Sequence, residues 1–186
     1  MTEEAYIKRV IEGDVEAFRF LIRKYQHMAF TVAMSVVKDE FTAEEITQEA
    51  FIKVFENLKS FRFQSKFSTW LYRIVVNLAF KQLKRSKRKE EYFSGNETDA
   101  ADTAPDGFDK LKETDRKYYI NKTLEQLSPK DSLSLRLFYL DECSVDEIKN
   151  ITGWSESNTK VILHRARKNF YAVLGNTLKA EMKTIL

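Results

Sequence analysis

The chain has 186 residues, of which 43% are hydrophobic, enough for one or two domains with a real core. Its net charge is only +3, and Cys143 is its single cysteine, which excludes an internal disulfide and favours a reducing cytoplasm. The N-terminus lacks an apolar run and no window approaches about 18 apolar residues, so we expect neither a signal peptide nor a membrane span. Only five Gly and two Pro interrupt the helical patterns, and the sequence therefore predicts an all-α fold.

The first two predicted helices lie before residue 38. A short helix covers residues 6–12, and Gly13 is well placed to end it, because glycine favours the residue after a helix. Asp14 can cap a second helix, which runs to about Val37 with apolar residues along one side.

A third and a fourth helix complete the predicted N-terminal bundle. Thr42 and Glu45 match a capping box that starts the third helix, which continues to about Leu58. Ser68 or Thr69 can cap the fourth helix. Its buried stripe is predicted at Leu71, Ile74, Val75, Leu78 and Leu83, and its exposed side at Tyr72, Arg73, Asn77, Lys81 and Lys84.

Residues 59–89 carry the strongest functional signal in the chain. They hold ten basic residues and no Asp or Glu, which gives them a net charge of +10. Six aromatic residues are interleaved with these charges: Phe61, Phe63, Phe67, Trp70, Tyr72 and Phe80. Positive charge neutralises phosphates, and aromatic faces stack on bases that have left a duplex. The combination predicts a surface for single-stranded or opening nucleic acid, because a merely solvated face usually mixes both signs of charge.

The composition changes at residues 90–115. This stretch has nine acidic residues against two basic ones and shows little apolar periodicity. We therefore predict a flexible acidic linker between an N-terminal domain, residues 1–89, and a C-terminal domain, residues 116–186. Within the second domain, Ser128 and Pro129 start a helix.

The C-terminal domain also contains a predicted helix-turn-helix. Ser144 and Glu147 form a capping box that starts a short helix. Gly153 ends this helix at a tight corner, and Ser155 can cap the next helix, which runs to about Leu174.

The start of the second helix in such a unit enters the major groove of DNA, where Asn can pair with adenine and Lys with guanine. The residues nearest the bases are predicted to be Ser157, Asn158, Thr159, Lys160 and Val161. Arg165, Arg167 and Lys168 lie further along the helix and suit contacts to phosphates.

The two halves together resemble an extracytoplasmic-function (ECF) sigma factor of bacterial RNA polymerase, a sigma-70 type with regions 2 and 4 only. Residues 43–51 and 66–74 resemble region 2, and residues 127–129, 144–148 and 163–167 resemble region 4. The resemblance implies a transcription initiation factor that binds core RNA polymerase and directs it to specific promoters. The resemblance further implies that such a factor reads the −35 element as a duplex and melts and captures the −10 element.

The resemblance also implies three groups of functional residues. Those for the −10 element are Lys59, Phe61, Arg62, Phe63, Lys66, Trp70, Arg73, Asn77, Lys81, Lys84 and Arg85. Those for the −35 element are Ser155, Ser157, Asn158, Thr159, Lys160, Val161, His164, Arg165 and Arg167. Those for the polymerase are Glu45, Gln48, Glu49, Phe51 and Phe55. One departure concerns Ile162, which stands where the family commonly has Arg.

The implied partners are core RNA polymerase, through its β′ coiled coil and β flap, promoter DNA, and an anti-sigma factor that is often membrane-anchored. No cofactor, metal or small-molecule substrate is implied. The residues themselves disfavour an enzyme, because they show no Gly-rich phosphate loop, no clustered metal ligands and no nucleophile–base pattern. The remaining alternative is a helix-turn-helix regulator that acts without polymerase and has a helical sensing or dimerisation domain. That alternative leaves the basic and aromatic stretch unexplained.

Overall fold

A computed structural model describes residues 2–91 and 113–185, and these two ranges contain helices and no β-strand. Residues 2–87 form most of one compact unit, and the helices from residue 113 onward form most of a second. The predicted all-α fold with two helical parts is confirmed. Most of the predicted acidic linker, residues 90–115, lies outside the described residues. None of the helices in residues 2–91 and 113–185 combines the length and the hydropathy that a membrane-spanning helix requires.

Four helices and one tight turn build the N-terminal unit. They are α1 (Glu3–Ile11), α2 (Val15–Val37), α3 (Glu40–Asn57), a 3₁₀ turn (Leu58–Ser60) and α4 (Phe67–Glu91). The apolar faces of these helices are fully buried against one another at positions that include Leu21, Val32, Val36, Ala43, Val54, Leu71 and Val75. Burial of this apolar surface is the main driving force for the bundle.

The predicted boundary between α1 and α2 is confirmed. Gly13 adopts a left-handed backbone with φ of 105°, which glycine accepts without steric cost. The Asp14 carboxylate accepts the backbone N–H of Ala17 at 3.1 Å and so caps α2. That helix ends at Val37, as the sequence predicts.

The predicted starts of α3 and α4 are wrong. Helix α3 is capped by Asp39, whose carboxylate accepts the backbone N–H of Thr42 at 2.8 Å, so the helix begins before the predicted Thr cap. Helix α4 begins at Phe67, ahead of both predicted hydroxyl caps, and the Phe67 side chain is only 2% exposed. Tyr72, predicted on the outer side of α4, is buried at 7% exposure. In α4, packing of aromatic side chains therefore outweighs the local capping signal.

The C-terminal unit is built from α5 (Glu113–Gln126), α6 (Pro129–Leu135), a π-helical turn (Arg136–Leu140), α7 (Val145–Thr152) and α8 (Glu156–Ile185). Helix α8 runs well past its predicted end near residue 174. A buried cluster joins α5, α6 and α8 through Leu124, Leu127, Leu135 and Ala166, with Ile120, Phe170 and Val173 packed against it.

The predicted helix-turn-helix is present as α7, a three-residue turn and α8. The Ser144 N–H donates to the Glu147 carboxylate at 2.9 Å, and the Glu147 N–H donates back to the Ser144 hydroxyl at 3.2 Å, so the capping box is confirmed. Gly153 has a φ of 74°, and the Ser155 hydroxyl accepts the backbone N–H of Asn158 at 3.2 Å. The local residues therefore fix both the corner and the start of α8.

Candidate nucleic-acid and partner interfaces

One side of α4 carries polar and basic side chains in a continuous line. Trp70 is half-buried, while Arg73, Asn77, Lys81 and Lys84 are exposed. Steps of three and four residues keep a set of side chains on one side of a helix. Arg88 is also exposed and continues this line, although the sequence did not mark it as a site residue. The line presents the charge that a nucleic-acid backbone requires.

An aromatic cluster lies beside the start of α4. The ring centroid of Phe61 is 5.3 Å from Trp70, 5.8 Å from Phe67 and 4.9 Å from Phe63. Phe67 is 5.9 Å from Trp70 and 5.4 Å from Tyr25 of α2. The rings therefore form one connected group, which we call the aromatic cluster: Tyr25, Phe61, Phe63, Phe67 and Trp70.

The members of the aromatic cluster differ in their access to solvent. Phe61 is 7% exposed, so its predicted role as a direct base contact is corrected to one of support inside the cluster. Phe63 is 40% exposed, and its φ of 56° is an uncommon conformation for a residue with a side chain. A strained backbone under an exposed aromatic ring is typical of binding loops. The predicted loop cations Lys59, Arg62 and Lys66 are all exposed around it.

The two aromatic residues of α3 that were predicted to contact polymerase differ in their exposure to solvent. Phe55 is 45% exposed, whereas Phe51 is 7% exposed and packs edge-on against Phe18 at 6.3 Å. Phe51 is therefore a core residue, and its predicted role in partner binding is wrong. The predicted polar contacts Glu45, Gln48 and Glu49 are exposed.

The exposed side of α3 also carries two large apolar residues that sequence reasoning missed. Phe41 is 69% exposed and Ile52 is 58% exposed. With the predicted residues they form a line that we call the α3 stripe: Phe41, Glu45, Gln48, Ile52 and Phe55. Its steps of four, three, four and three residues are the heptad spacing of a coiled-coil seam. The signal was present in the sequence, but the predicted cap at Thr42 placed Phe41 outside the helix.

A polar groove of about 300 Å³ lies between α3 and α4. It brings carboxylates of α3 close to cations of α4. Its lining residues are Thr42, Glu45, Ile46, Glu49, Leu78, Lys81, Gln82 and Arg85. Acidic residues predicted to bind polymerase and basic residues predicted to bind DNA therefore line the same groove.

The first turns of α8 expose most of the residues predicted to contact the −35 element. Ser155, Ser157, Asn158, Lys160, Val161 and His164 are exposed. Val161 is 63% exposed and therefore belongs to this outer surface. A side chain that projects into solvent from the second helix of a helix-turn-helix is accessible to the edges of bases.

Two of the α8 residues discussed above for the −35 element, Thr159 and Ile162, face inward. Thr159 is fully buried, and its hydroxyl donates to the Ser155 carbonyl at 2.9 Å, so its predicted base contact is wrong. Ile162 is 3% exposed and is therefore part of the core. An arginine at that position would carry its charge into this core, so isoleucine suits the packing here.

The charged residues of α8 are not equally available. The Lys160 ammonium lies 2.6 Å from the Glu156 carboxylate, and this contact lowers the pKa of Glu156 below its ordinary value. Arg167 donates to the Tyr139 hydroxyl at 3.3 Å. Arg165 donates to the buried carboxylate of Asp131, which commits part of its guanidinium to the fold. Lys160 can exchange its carboxylate for DNA at little cost, because the pair is exposed.

An apolar groove of about 300 Å³ opens on the C-terminal unit. Three of its residues are large and exposed, namely Tyr139 at 52%, Leu140 at 45% and Tyr171 at 56%. The full lining is Ile120, Leu124, Leu135, Tyr139, Leu140, Arg167, Phe170, Tyr171 and Leu174. Exposed apolar patches of this kind are typical of protein, membrane or ligand-binding sites. Residues 2–91 and 113–185 show no cluster of side chains able to hold a metal ion.

The chain matches two protein-family descriptions. Residues 21–89 match Sigma-70 region 2, and residues 118–170 match Sigma-70 region 4. It is 31% identical to the ECF RNA polymerase sigma factor SigW of Bacillus subtilis, an alignment that covers 87% of this chain and 91% of the relative. It is 30% identical to the ECF RNA polymerase sigma-E factor of Escherichia coli K12, over 90% of this chain and 92% of the relative.

Two solved structures share the fold. The sigma factor RpoE in complex with the anti-sigma factor NepR from Bartonella quintana has a TM-score of 0.65 and 21% identity, with 86% of this chain and 98% of that chain covered. CnrH in complex with the cytosolic domain of CnrY has a TM-score of 0.62 and 20% identity, with 95% of this chain and 96% of that chain covered.

Proposed function

This chain belongs to the ECF family of RNA polymerase sigma factors, whose role is transcription initiation, and from that membership we propose how its surfaces divide the work. The α3 stripe binds core RNA polymerase, the outer side of α4 and the aromatic cluster capture the −10 element, and the start of α8 reads the −35 element. Family membership also favours this role over that of a regulator acting without polymerase.

The α3 stripe is the observation that carries the proposal. Coiled-coil partners bury apolar side chains that recur with heptad spacing and select each other through flanking charges. Phe41, Ile52 and Phe55 supply exposed apolar contacts, while Glu45 and Gln48 supply polar ones. A helix of the polymerase β′ coiled coil, with apolar residues facing the stripe and a basic residue opposite Glu45, matches this chemistry.

The basic side of α4 and the aromatic cluster suit a strand that has left its duplex. Extruding a base costs a few kcal/mol, and stacking on an aromatic side chain offsets about 1–3 kcal/mol per base. Trp70 and Phe63 are the cluster members with accessible faces, and Arg73, Asn77 and Lys81 run beside them along α4. The cluster therefore favours the opened form of the −10 element over the paired form.

The helix-turn-helix suits the duplex −35 element, with Asn158, Lys160 and Val161 facing the bases. Neither half of the chain has to bind its DNA element tightly by itself. When both halves are held on one polymerase, binding of the second element becomes intramolecular and gains a high effective concentration. We assign residues 1–89 and 116–186 to these two tasks and residues 90–115 to the connection between them.

The apolar groove of the C-terminal unit suits an amphipathic helix, and we assign it to the polymerase β flap. The solved RpoE and CnrH structures are complexes with partner proteins, NepR and CnrY. An anti-sigma factor, membrane-anchored in many cases, is accordingly proposed as a second partner that competes with polymerase. The chain acts in the cytoplasm, where polymerase and promoter meet, and it acts by binding and not by catalysis.

Run-off transcription tests the proposal. Bacterial core RNA polymerase is mixed with the purified chain and with a library of upstream promoter fragments. We expect transcripts that start at defined positions and that are absent when either protein is omitted. Transcripts that do not require the chain, or none at all despite an active control sigma factor, would contradict it.

A further inference from the structure

A hydrogen bond ties the first helix to the second behind the aromatic cluster. The Tyr25 hydroxyl of α2 donates to the Glu3 carboxylate of α1, and the Lys24 ammonium lies 2.5 Å from the same carboxylate oxygen. Glu3 is partly buried, with 26% of its side chain exposed. It also precedes residues 21–89, which match Sigma-70 region 2, so this contact is supplied from outside the matched region.

Tyr25 connects this hydrogen bond to the aromatic cluster. Its ring centroid is 5.4 Å from that of Phe67, which is only 2% exposed. Phe67 in turn contacts Phe61 at 5.8 Å and Trp70 at 5.9 Å. Phe67 therefore contacts Tyr25 on one side and the partly accessible Trp70 on another. A shift in the position of the Tyr25 ring can alter the position of Trp70 through this one intervening side chain.

The hydroxyl of Tyr25 keeps the proton that it donates to Glu3. Burial, and then the hydrogen bond to Glu3, raise the pKa of Tyr25 above its ordinary value, so the phenol stays protonated. With its hydroxyl held by Glu3 and its ring packed on Phe67, the side chain has few alternative positions. A binding surface that is already ordered loses less entropy when its ligand arrives.

We propose that Glu3 and Tyr25 are positioning residues for base capture: through their hydrogen bond they hold Phe67, and through Phe67 they hold Phe61 and Trp70 in the arrangement that receives an extruded base. They touch neither DNA nor polymerase. This inference rests on the proposed role of the aromatic cluster. It adds that base capture also requires Glu3 of α1, which lies outside the cluster.

The test uses holoenzyme assembled from core polymerase and the full chain, with a single-stranded −10 oligonucleotide as the probe. Tyr25→Phe keeps the ring and removes the hydroxyl, Glu3→Ala removes the acceptor, and Glu3→Gln keeps one acceptor oxygen. Glu4→Gln is the matched control, because Glu4 is exposed on the same turn of α1. Affinities for the oligonucleotide, for a duplex −35 fragment and for core polymerase are measured in parallel.

We expect Tyr25→Phe and Glu3→Ala to weaken binding of the single strand about five-fold, the ratio that corresponds to one typical net hydrogen bond. Glu3→Gln should recover most of the loss, and the other two affinities should stay unchanged. In the free chain with Trp154→Phe, where Trp70 is the only tryptophan, both variants should lower the Trp70 fluorescence anisotropy.

Wild-type affinity for the single strand in both variants would overturn the inference. So would a loss matched by an equal loss of polymerase affinity, because that pattern indicates general damage to the unit. If the unmodified holoenzyme itself fails to bind the single strand, the proposed role of the aromatic cluster fails, and the inference fails with it.

Discussion

The guanidinium of Arg165 is hydrogen-bonded to the carboxylate of Asp131, a residue 34 positions earlier in the chain. Its Nη2 and Nε atoms lie 2.6 Å and 3.1 Å from the same oxygen, while the Asn169 amide donates to the other oxygen at 2.8 Å. The Asp131 side chain is 2% exposed, whereas that of Arg165 is 51% exposed. A buried carboxylate at the start of α6 is thereby joined to α8, the second helix of the helix-turn-helix.

Arg165→Ala should therefore lower the stability of the C-terminal unit, in addition to any effect that it has on DNA binding. Loss of this donor leaves the buried Asp131 carboxylate with fewer hydrogen bonds, which costs about 1–3 kcal/mol, nearer the lower end because Arg165 is half exposed. Urea unfolding of the full chain measures the change. Lys168→Ala, at an exposed position on the same helix, is the control and should leave the free energy of unfolding almost unchanged. Equal stability of the two variants would contradict the assignment.

Substitution of two phenylalanines of α3 should affect stability and polymerase binding to different extents. Phe51→Ala removes a buried ring and should lower the free energy of unfolding by about 3–5 kcal/mol. Phe55→Ala removes a ring that is 45% exposed and should cost less stability, yet it should weaken binding to core polymerase, as should Ile52→Ala. Thermal unfolding and a polymerase-binding titration measure the two effects. Unchanged polymerase affinity in both Phe55→Ala and Ile52→Ala would remove the α3 stripe from the interface.

Trp70→Ala and Asn77→Ala should reduce open complexes more than closed ones. For Trp70 the expected loss is about ten-fold, because stacking of one base contributes about 1–3 kcal/mol. Permanganate reactivity measures the open form and gel retardation at low temperature measures the closed form. Trp70→Phe keeps a stacking face and should restore most of the opening. Equal losses in open and closed complexes would contradict the assignment of these residues to the opened strand.

Neighbouring residues on α8 should differ in their effect on promoter choice. Lys160 is exposed, and its truncation to Ala should relax discrimination at one base pair of the −35 element by about 1–3 kcal/mol while leaving stability nearly unchanged. Thr159 is buried, so Thr159→Val should leave base preference unaltered. Binding to a set of duplexes that carry single −35 substitutions compares the two variants. A change of base preference in Thr159→Val, with none in Lys160→Ala, would reverse the assignment.

Local signals predicted some of the helix boundaries that depend on residues a few positions apart, although the Asp39 cap, whose partner Thr42 is also three positions away, was missed. The cap at Asp14 and the capping box of Ser144 and Glu147 involve partners three positions apart, so the sequence shows them directly. The contrast between Phe51 and Phe55 was not predictable in this way, because both rings pack against Phe18 of another helix and differ only in how far the fold buries them.

The same limit applies to long-range polar contacts. The bond between Tyr25 and Glu3 and the one between Arg165 and Asp131 join residues more than 20 positions apart, and no local pattern marks them. The basic and aromatic composition of residues 59–89 predicted a nucleic-acid surface, but it did not distinguish the buried Phe61 and Tyr72 from the accessible Phe63. That distinction arises from the packing of several helices.

The most direct test of the whole account is a pull-down with bacterial core RNA polymerase, followed by permanganate footprinting of a promoter identified by run-off transcription. We expect a stable complex and reactive thymines near −10 that require both proteins. Failure to bind polymerase, together with tight binding of duplex DNA by the chain alone, would contradict it.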